Sequence, residues 1–194
     1  GDYRVTAAYI GRGDGTVRDI DAQSYNTPPL YHDSNYRYYY TPDIEWLKLD
    51  EKLTNINFVK QTLMDNGALG TCMCVGAFWG NNNTHYQPES DASDPNHAIA
   101  IIGWNDTLST DADDQGAWLC KNSWGDTWGD NGYFWISYWD KHCGKHPEMG
   151  LISFRNVEVM KYDHVFYHDY HGWRDTMTDI SEAFNQFYTK HQQA

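Results

Sequence analysis

The chain has little of several things, and each shortage excludes a class of protein. No run of about 18 apolar residues occurs, so the sequence predicts no membrane-spanning helix. Basic residues are scarce: 14 Lys and Arg stand against 27 Asp and Glu, for a net charge of −13. A surface that negative repels polyanions, which argues against nucleic acid or an anionic membrane as partner. Cysteine is sparse, at Cys72, Cys74, Cys120 and Cys143. Cys72 and Cys74 share the apolar run TCMCVGAFW, and Cys-x-Cys is not a usual zinc spacing. Along a strand the two would point to the same face. Cys120 lies in the equally apolar AWLCK, and buried free thiols are the expectation. Cys143 has His142 and His146 beside it, but the further partners of a closed metal site are lacking, so no metal and no cofactor are expected. The sequence opens with neither Met nor a secretory leader and reads as a mature or excised piece.

What is present is a core. Apolar residues make up 40% and charged residues 21%, a balance that favours a packed chain over a disordered one. Aromatics reach 16%, with nine Trp and fifteen Tyr, which serve packing first and ligand contact second. At the start, Val5, Ala8 and Tyr9 give a short helix-like pattern before Gly-rich and Pro-rich loops. Arg12 to Asp14 spell RGD, expected as a solvated turn. From Asp50, DEKLTNINFVKQTLMDNGALG predicts an amphipathic helix with Phe58, Leu63 and Met64 on its apolar side, ended by Asn66-Gly67. LGTCMCVGAFW and HAIAIIGW predict buried strands, and GAWLCKNSW and GYFWISYW complete a series separated by Gly and Asn turns.

Between them lie a polar loop with an Asn82-Asn83-Thr84 sequon and the acidic connection TLSTDADDQG. Asp111, Asp113 and Gly116 echo a calcium loop, but its twelfth position is Asn122 rather than an acid. The expected architecture is α+β, with a helix against an antiparallel sheet or barrel. The last 35 residues hold four of the nine histidines among aromatics and differ in character from this core.

Two residues carry candidate chemistry. His97 opens the strand HAIAIIGW, and Asn122 ends GAWLCKN 25 residues later. Neighbouring strands bring such a pair within hydrogen-bond reach. A carboxamide oxygen accepting the imidazole N–H fixes the ring's tautomer and turns its other nitrogen outward, without adding negative charge. That suits an imidazolium beside a thiolate. Trp124 is placed to cover the bond and exclude water. The plainer alternative is a buried pair that only satisfies itself.

NHAIAIIGW followed by GAWLCKNSWGDTWGDNGYFWIS resembles the papain-like cysteine peptidases, the papain and cathepsin family. The resemblance covers roughly residues 50 to 158. AAYIGRGDGTVRDIDAQSY is similar to a stretch of that family's bacterial and archaeal secreted branch, in which a lectin-like β-module often follows the peptidase domain. The segment from VFYHDYHGWRDTM onward looks like the start of one. The resemblance therefore implies a peptidase domain over 1–158, in its C-terminal portion, and an appended segment over 159–194. It implies a papain-like α+β fold, peptide or protein substrates, and an extracellular or cell-surface location. His97 would transfer protons, Asn122 would orient it, and Trp124 and Trp128 would shield the pair or line the substrate cleft.

One departure matters. The family's nucleophile sits in a Cys-Gly-Ser-Cys-Trp type segment upstream of the histidine, and no such segment occurs here. The oxyanion-hole glutamine is missing with it. The expected partner is therefore a Cys-bearing N-terminal fragment of the same precursor. Two rivals stand beside this reading: a catalytically inactive surface binding protein on a papain-like scaffold, and a different Cys-His-Asn acyl transferase.

Overall fold

The computed structural model describes residues 2–11, 13–18, 33–76 and 78–161. Arg12 of the RGD tripeptide lies outside them, as does the histidine-rich stretch 162–194. Among these described residues two α-helices and nine strands run in the order α1 (Tyr3–Gly11), β1 (Tyr39–Tyr40), β2 (Asp43–Leu47), α2 (Ile56–Asn66), β3 (Leu69–Met73), β4 (Thr84–His85), β5 (His97–Asn105), β6 (Ala117–Lys121), β7 (Tyr133–Ser137), β8 (Leu151–Arg155) and β9 (Glu158–Val159). They fall into two compact units, residues 43–156 with the first three residues, and residues 4–42 with 157 onward.

In the smaller unit β1 and β9 form a two-stranded antiparallel ladder, and Thr16 bridges to Tyr39. Helix α1 buries Tyr3, Ala7 and Ile10, spaced i, i+4, i+7, and leaves Val5 exposed. The face expected from Val5, Ala8 and Tyr9 is thus corrected, because the 3.6-residue period runs through the other three.

The larger unit is a seven-stranded sheet in the order β2-β8-β3-β5-β6-β7-β4. Neighbours are antiparallel except β4 and β7, which run parallel. Its edge strands do not pair with each other, so this α+β fold has an open mixed sheet rather than a closed barrel.

Alternation writes the core. Register places Leu69 opposite Ile101, Ile101 opposite Cys120, and Cys120 opposite Phe134, so one buried row crosses four strands. Beside it Trp118 faces Ile136, and both are fully buried. Strand β5 is not buried throughout, as its run of apolar residues predicted. A bulge between Ile101 and Gly103 leaves Ile102 as the unpaired extra residue, and it stands exposed.

Helix α2 covers this core through Val59 and Leu63, with Ile56 partly buried beside them. Phe58 and Met64, expected on the apolar side, are 56% and 60% exposed, because one helical face cannot hold them together with residues 56, 59 and 63. Lys60 shares the buried side: its stem packs inward while its ammonium pairs with Asp106 and lies 5.1 Å from the centre of the Tyr138 ring. The helix starts later than Asp50, whose carboxylate instead accepts the backbone N–H groups of Lys52, Thr54 and Asn55. It ends at Gly67, as expected, where φ is 87° and the N–H reaches back to Leu63 O.

Candidate active site

The site is assembled where β5 begins and β6 ends. His97 is the first residue of β5, opposite Met73 of β3, and Asn122 follows the last residue of β6. Antiparallel neighbours start and stop at the same end of a sheet, so residues 25 apart in sequence become adjacent. Asn122 is anchored by its own N–H to Gly132 O at 2.9 Å, and Gly132 turns the chain with φ of 86°.

Two N–H groups converge on Asn122 Oδ1. His97 Nε2–H donates at 2.8 Å, and the Ser123 backbone N–H donates at the same distance. Two donors on one atom identify it as the carboxamide oxygen, which in turn places the His97 proton on Nε2 in the neutral ring. Nδ1 has no hydrogen-bond partner among the described residues, and the ring is only half buried. Asn122 itself is buried, and its Nδ2 finds no acceptor among the described residues.

Trp124 stacks on the imidazole, with ring centroids 4.9 Å apart and planes 29° from parallel. It remains 42% exposed, so it roofs the pair without closing the site. Trp128 meets Trp124 edge-on at 4.8 Å, and behind it touches Trp79 at 5.3 Å and Phe134 at 5.6 Å. The roof is thereby tied to the core. All four residues singled out in the sequence, His97, Asn122, Trp124 and Trp128, are brought together.

The cysteines have the opposite electrostatics from a nucleophile. All four are buried free thiols. Burial pushes the Cys72 thiol up to about 12, and raises Cys74, Cys120 and Cys143 as well. A reactive cysteine needs a depressed value, from a cation or helix N-terminus nearby. Cys72 packs toward His142 O, and Cys74 meets the Asn96 amide. The His142 ring faces Ser93 O at 2.9 Å, and no three His, Cys, Asp or Glu side chains converge as a metal site among the described residues.

A second histidine escaped the sequence reading. His85, expected in a polar loop, is fully buried, with Nδ1 3.2 Å from Asp140 Oδ2 and Nε2 donating to Cys74 O at 3.1 Å. Burial alone would raise the Asp140 carboxyl. The His85 ring and the backbone N–H groups of Gln87 and Cys143 outweigh it and hold the group below the usual carboxylate range. Asp140 lies 55 residues from its partner with no spacing motif between them; the nearest signal is its position as a turn acceptor for the N–H groups of His142 and Cys143.

An open sheet with a helix on one side, and an imidazole clamped by a carboxamide under an indole, define a class: the papain-like α+β fold. The chain belongs to the papain family of cysteine proteases, whose description as "Papain family cysteine protease" matches residues 32–151. Among curated proteins it is 37% identical to cathepsin J of Mus musculus over 78 residues, 40% of this chain and 22% of that protein. It is 35% identical to the cathepsin L-like peptidase of Aedes aegypti over 65 residues, 33% of this chain and 18% of that protein. The chain thus spans about a fifth of the length of these relatives. In fold it is similar to the cysteine protease and lectin-like domains of Cwp84, a surface layer associated protein of Clostridium difficile. That match has a TM-score of 0.61 and 22% identity, and covers 81% of this chain and 36% of that one.

Proposed function

We propose that this chain is the histidine- and asparagine-bearing portion of a cysteine-type endopeptidase. It hydrolyses peptide bonds when a nucleophilic cysteine from a segment outside these 194 residues faces His97 Nδ1. The observation that carries this reading is the His97 Nε2–H bond to Asn122 Oδ1 beneath Trp124, which leaves Nδ1 unpaired among the described residues. A purely structural pair has no need of a half-open ring with one nitrogen to spare.

In the assembled site the incoming thiol gives its proton to Nδ1, and the imidazolium so formed stabilises the thiolate. The thiolate attacks the peptide carbonyl carbon, while donors from the same outside segment hold the oxyanion. His97 Nδ1–H then protonates the departing amine, leaving a thioester. Nδ1 next takes a proton from water, whose oxygen attacks the thioester and releases the acid. Throughout, Nε2–H stays on Asn122, so the ring exchanges protons without turning. Trp124 and Trp128 exclude water from that bond and form a wall of the substrate cleft.

The peptidase domain runs over residues 1–158, and 159–194 begin an appended segment of lectin-like character. The family match ending at residue 151 and the domain make-up of the Cwp84 structure support that division. The acidic surface and the surface-layer neighbour favour an extracellular or cell-surface protein of a bacterial or archaeal source.

The test is to produce the parent polypeptide that includes the segment preceding this chain, and to assay a quenched-fluorescence peptide. Hydrolysis is expected, blocked by alkylation of one thiol and lost in His97→Ala, while the 194-residue chain alone is silent. Hydrolysis that survives His97→Ala would refute the assignment. Turnover that requires an added amine acceptor would move the protein to the acyl transferases.

A further inference from the structure

The face of the sheet that carries Leu119, Tyr133 and Trp135, opposite the buried row, holds a concave site. A cleft of about 300 Å³ opens where β7 meets the turn that precedes β4, and Asn82, Asn83, Leu119, Asp130, Tyr133 and Trp135 line it. Register explains the wall. Leu119 pairs with Trp135 and Lys121 with Tyr133, so these four share one face, while Cys120 and Phe134 between them point into the core. Tyr133 and Trp135 stand half-buried and line the cleft, with Lys121 Nζ over one face of the Tyr133 ring.

The rim is polar and uncommitted. Asn82 and Asn83 both adopt left-handed backbone, with φ of 55°, and their carboxamides are exposed and make no hydrogen bond within the described residues. Asp130 Oδ1 accepts from the Asn131 amide, and its second oxygen is unpaired among the described residues. The parallel pairing of Thr84 with Trp135 fixes the distance between turn and wall.

We propose that this cleft binds a neutral saccharide. A sugar ring offers an apolar C–H face to an aromatic side chain and vicinal hydroxyls at its edge, each both donor and acceptor. Carboxamides, which present a donor and an acceptor side by side, and a carboxylate are the matching partners. The volume lies at the small end of ligand clefts, about 300–1,000 Å³, which suits one or two sugar units. Phosphorylated ligands are disfavoured. The rim acid is Asp130, the nearby cation Lys121 lies over the Tyr133 ring at 4.7 Å, and the chain's net charge is −13. A peptide adding as a strand is disfavoured too, because the edge of β4 is already covered by its bridge to Trp79 and by the Gly80 N–H to Thr84 O.

The site is independent of the peptidase reading, and its test does not use turnover. The full chain is titrated by saturation-transfer NMR with glucose, galactose, mannose, N-acetylglucosamine and their disaccharides, and with tetra-alanine as a peptide control. At least one saccharide is expected to bind saturably and tetra-alanine not at all. Asn82→Gly with Asn83→Gly deletes both carboxamides while keeping a residue at ease with positive φ, and is expected to weaken binding at least tenfold. Asp130→Ala, at an exposed position, provides a second reading of the rim. Saturable binding of no sugar, binding unchanged in both variants, or preference for tetra-alanine would each overturn the proposal.

Discussion

Two histidines of this fold each take a partner from a distant part of the chain, and they are built for opposite ends. His97 leans on a neutral carboxamide, half open, with Nδ1 unpaired among the described residues. His85 lies beside the Asp140 carboxylate, with both groups completely buried and both ring nitrogens facing acceptors. The Nδ1 contact is close, at 3.2 Å, and lacks the alignment of a hydrogen bond. The difference teaches how the sheet divides the work. His97, proposed to gain and lose a proton, has a partner without charge and an exit to solvent. His85, which ties a two-residue edge strand to the turn after β7, has a carboxylate partner and no exit.

The strongest way to break the comparison is to remove each ring's function in turn. His97→Ala in the assembled enzyme is expected to lower kcat/KM by at least ~10⁴-fold, the upper range for a general acid–base group, while the melting temperature stays close to that of the parent. A large loss of stability would place His97 with His85 as a structural residue. Asp140→Asn should do the reverse. Taking one partner from a buried ion pair costs about 3–5 kcal/mol, read as a lower denaturant midpoint at neutral pH, with peptidase activity kept wherever the variant is folded.

The same variant has a pH signature. Asp140 is depressed in the folded chain, so its contribution is fully present above the unfolded carboxylate value near about pH 4 and is lost as pH falls through the lower folded value. The gap between parent and Asp140→Asn should therefore be widest at neutral pH and narrow on acidification. A gap that widens in acid would contradict an ionised Asp140. Asn122→Ala is expected to be milder than His97→Ala, costing about 10–10³-fold in kcat/KM, because orientation is lost and proton transfer is not.

How much of this could be read beforehand follows the kind of signal each residue leaves. His97 and Asn122 sit at strand ends inside strongly patterned runs, so strand adjacency alone pairs them, and Trp124 and Trp128 fall in the turn between β6 and β7. His85 leaves no such trace. It stands in NNNTHYQPESD, whose composition says loop, and only the parallel ladder of Thr84 and His85 with Trp135 and Ile136 makes these two residues a strand. The helix faces failed for a different reason. Phe58, Met64 and Val5 are apolar enough to be taken for core, but hydrophobicity does not fix rotation about a helix axis; the spacing of Ile56, Val59 and Leu63, and of Tyr3, Ala7 and Ile10, does. The bulge that exposes Ile102 is written only in the mismatch between β5 and β6.

The subtlest test exchanges the partners rather than deleting them. Asn122→Asp gives His97 the kind of neighbour His85 has. The Oδ1 that accepts from His97 and Ser123 is retained, and the new oxygen replaces an Nδ2 that pairs with nothing among the described residues, so little geometry changes. What changes is charge. A carboxylate at hydrogen-bond distance favours the charged ring over the neutral one, so the alkaline limb of the pH–rate profile should extend to higher pH. Peak activity should fall, because an imidazolium held more tightly protonates the leaving amine less readily. An alkaline limb that stays in place would mean that another group governs it, and the neutrality of Asn122 would no longer explain why this ring and not His85 is left free to exchange protons.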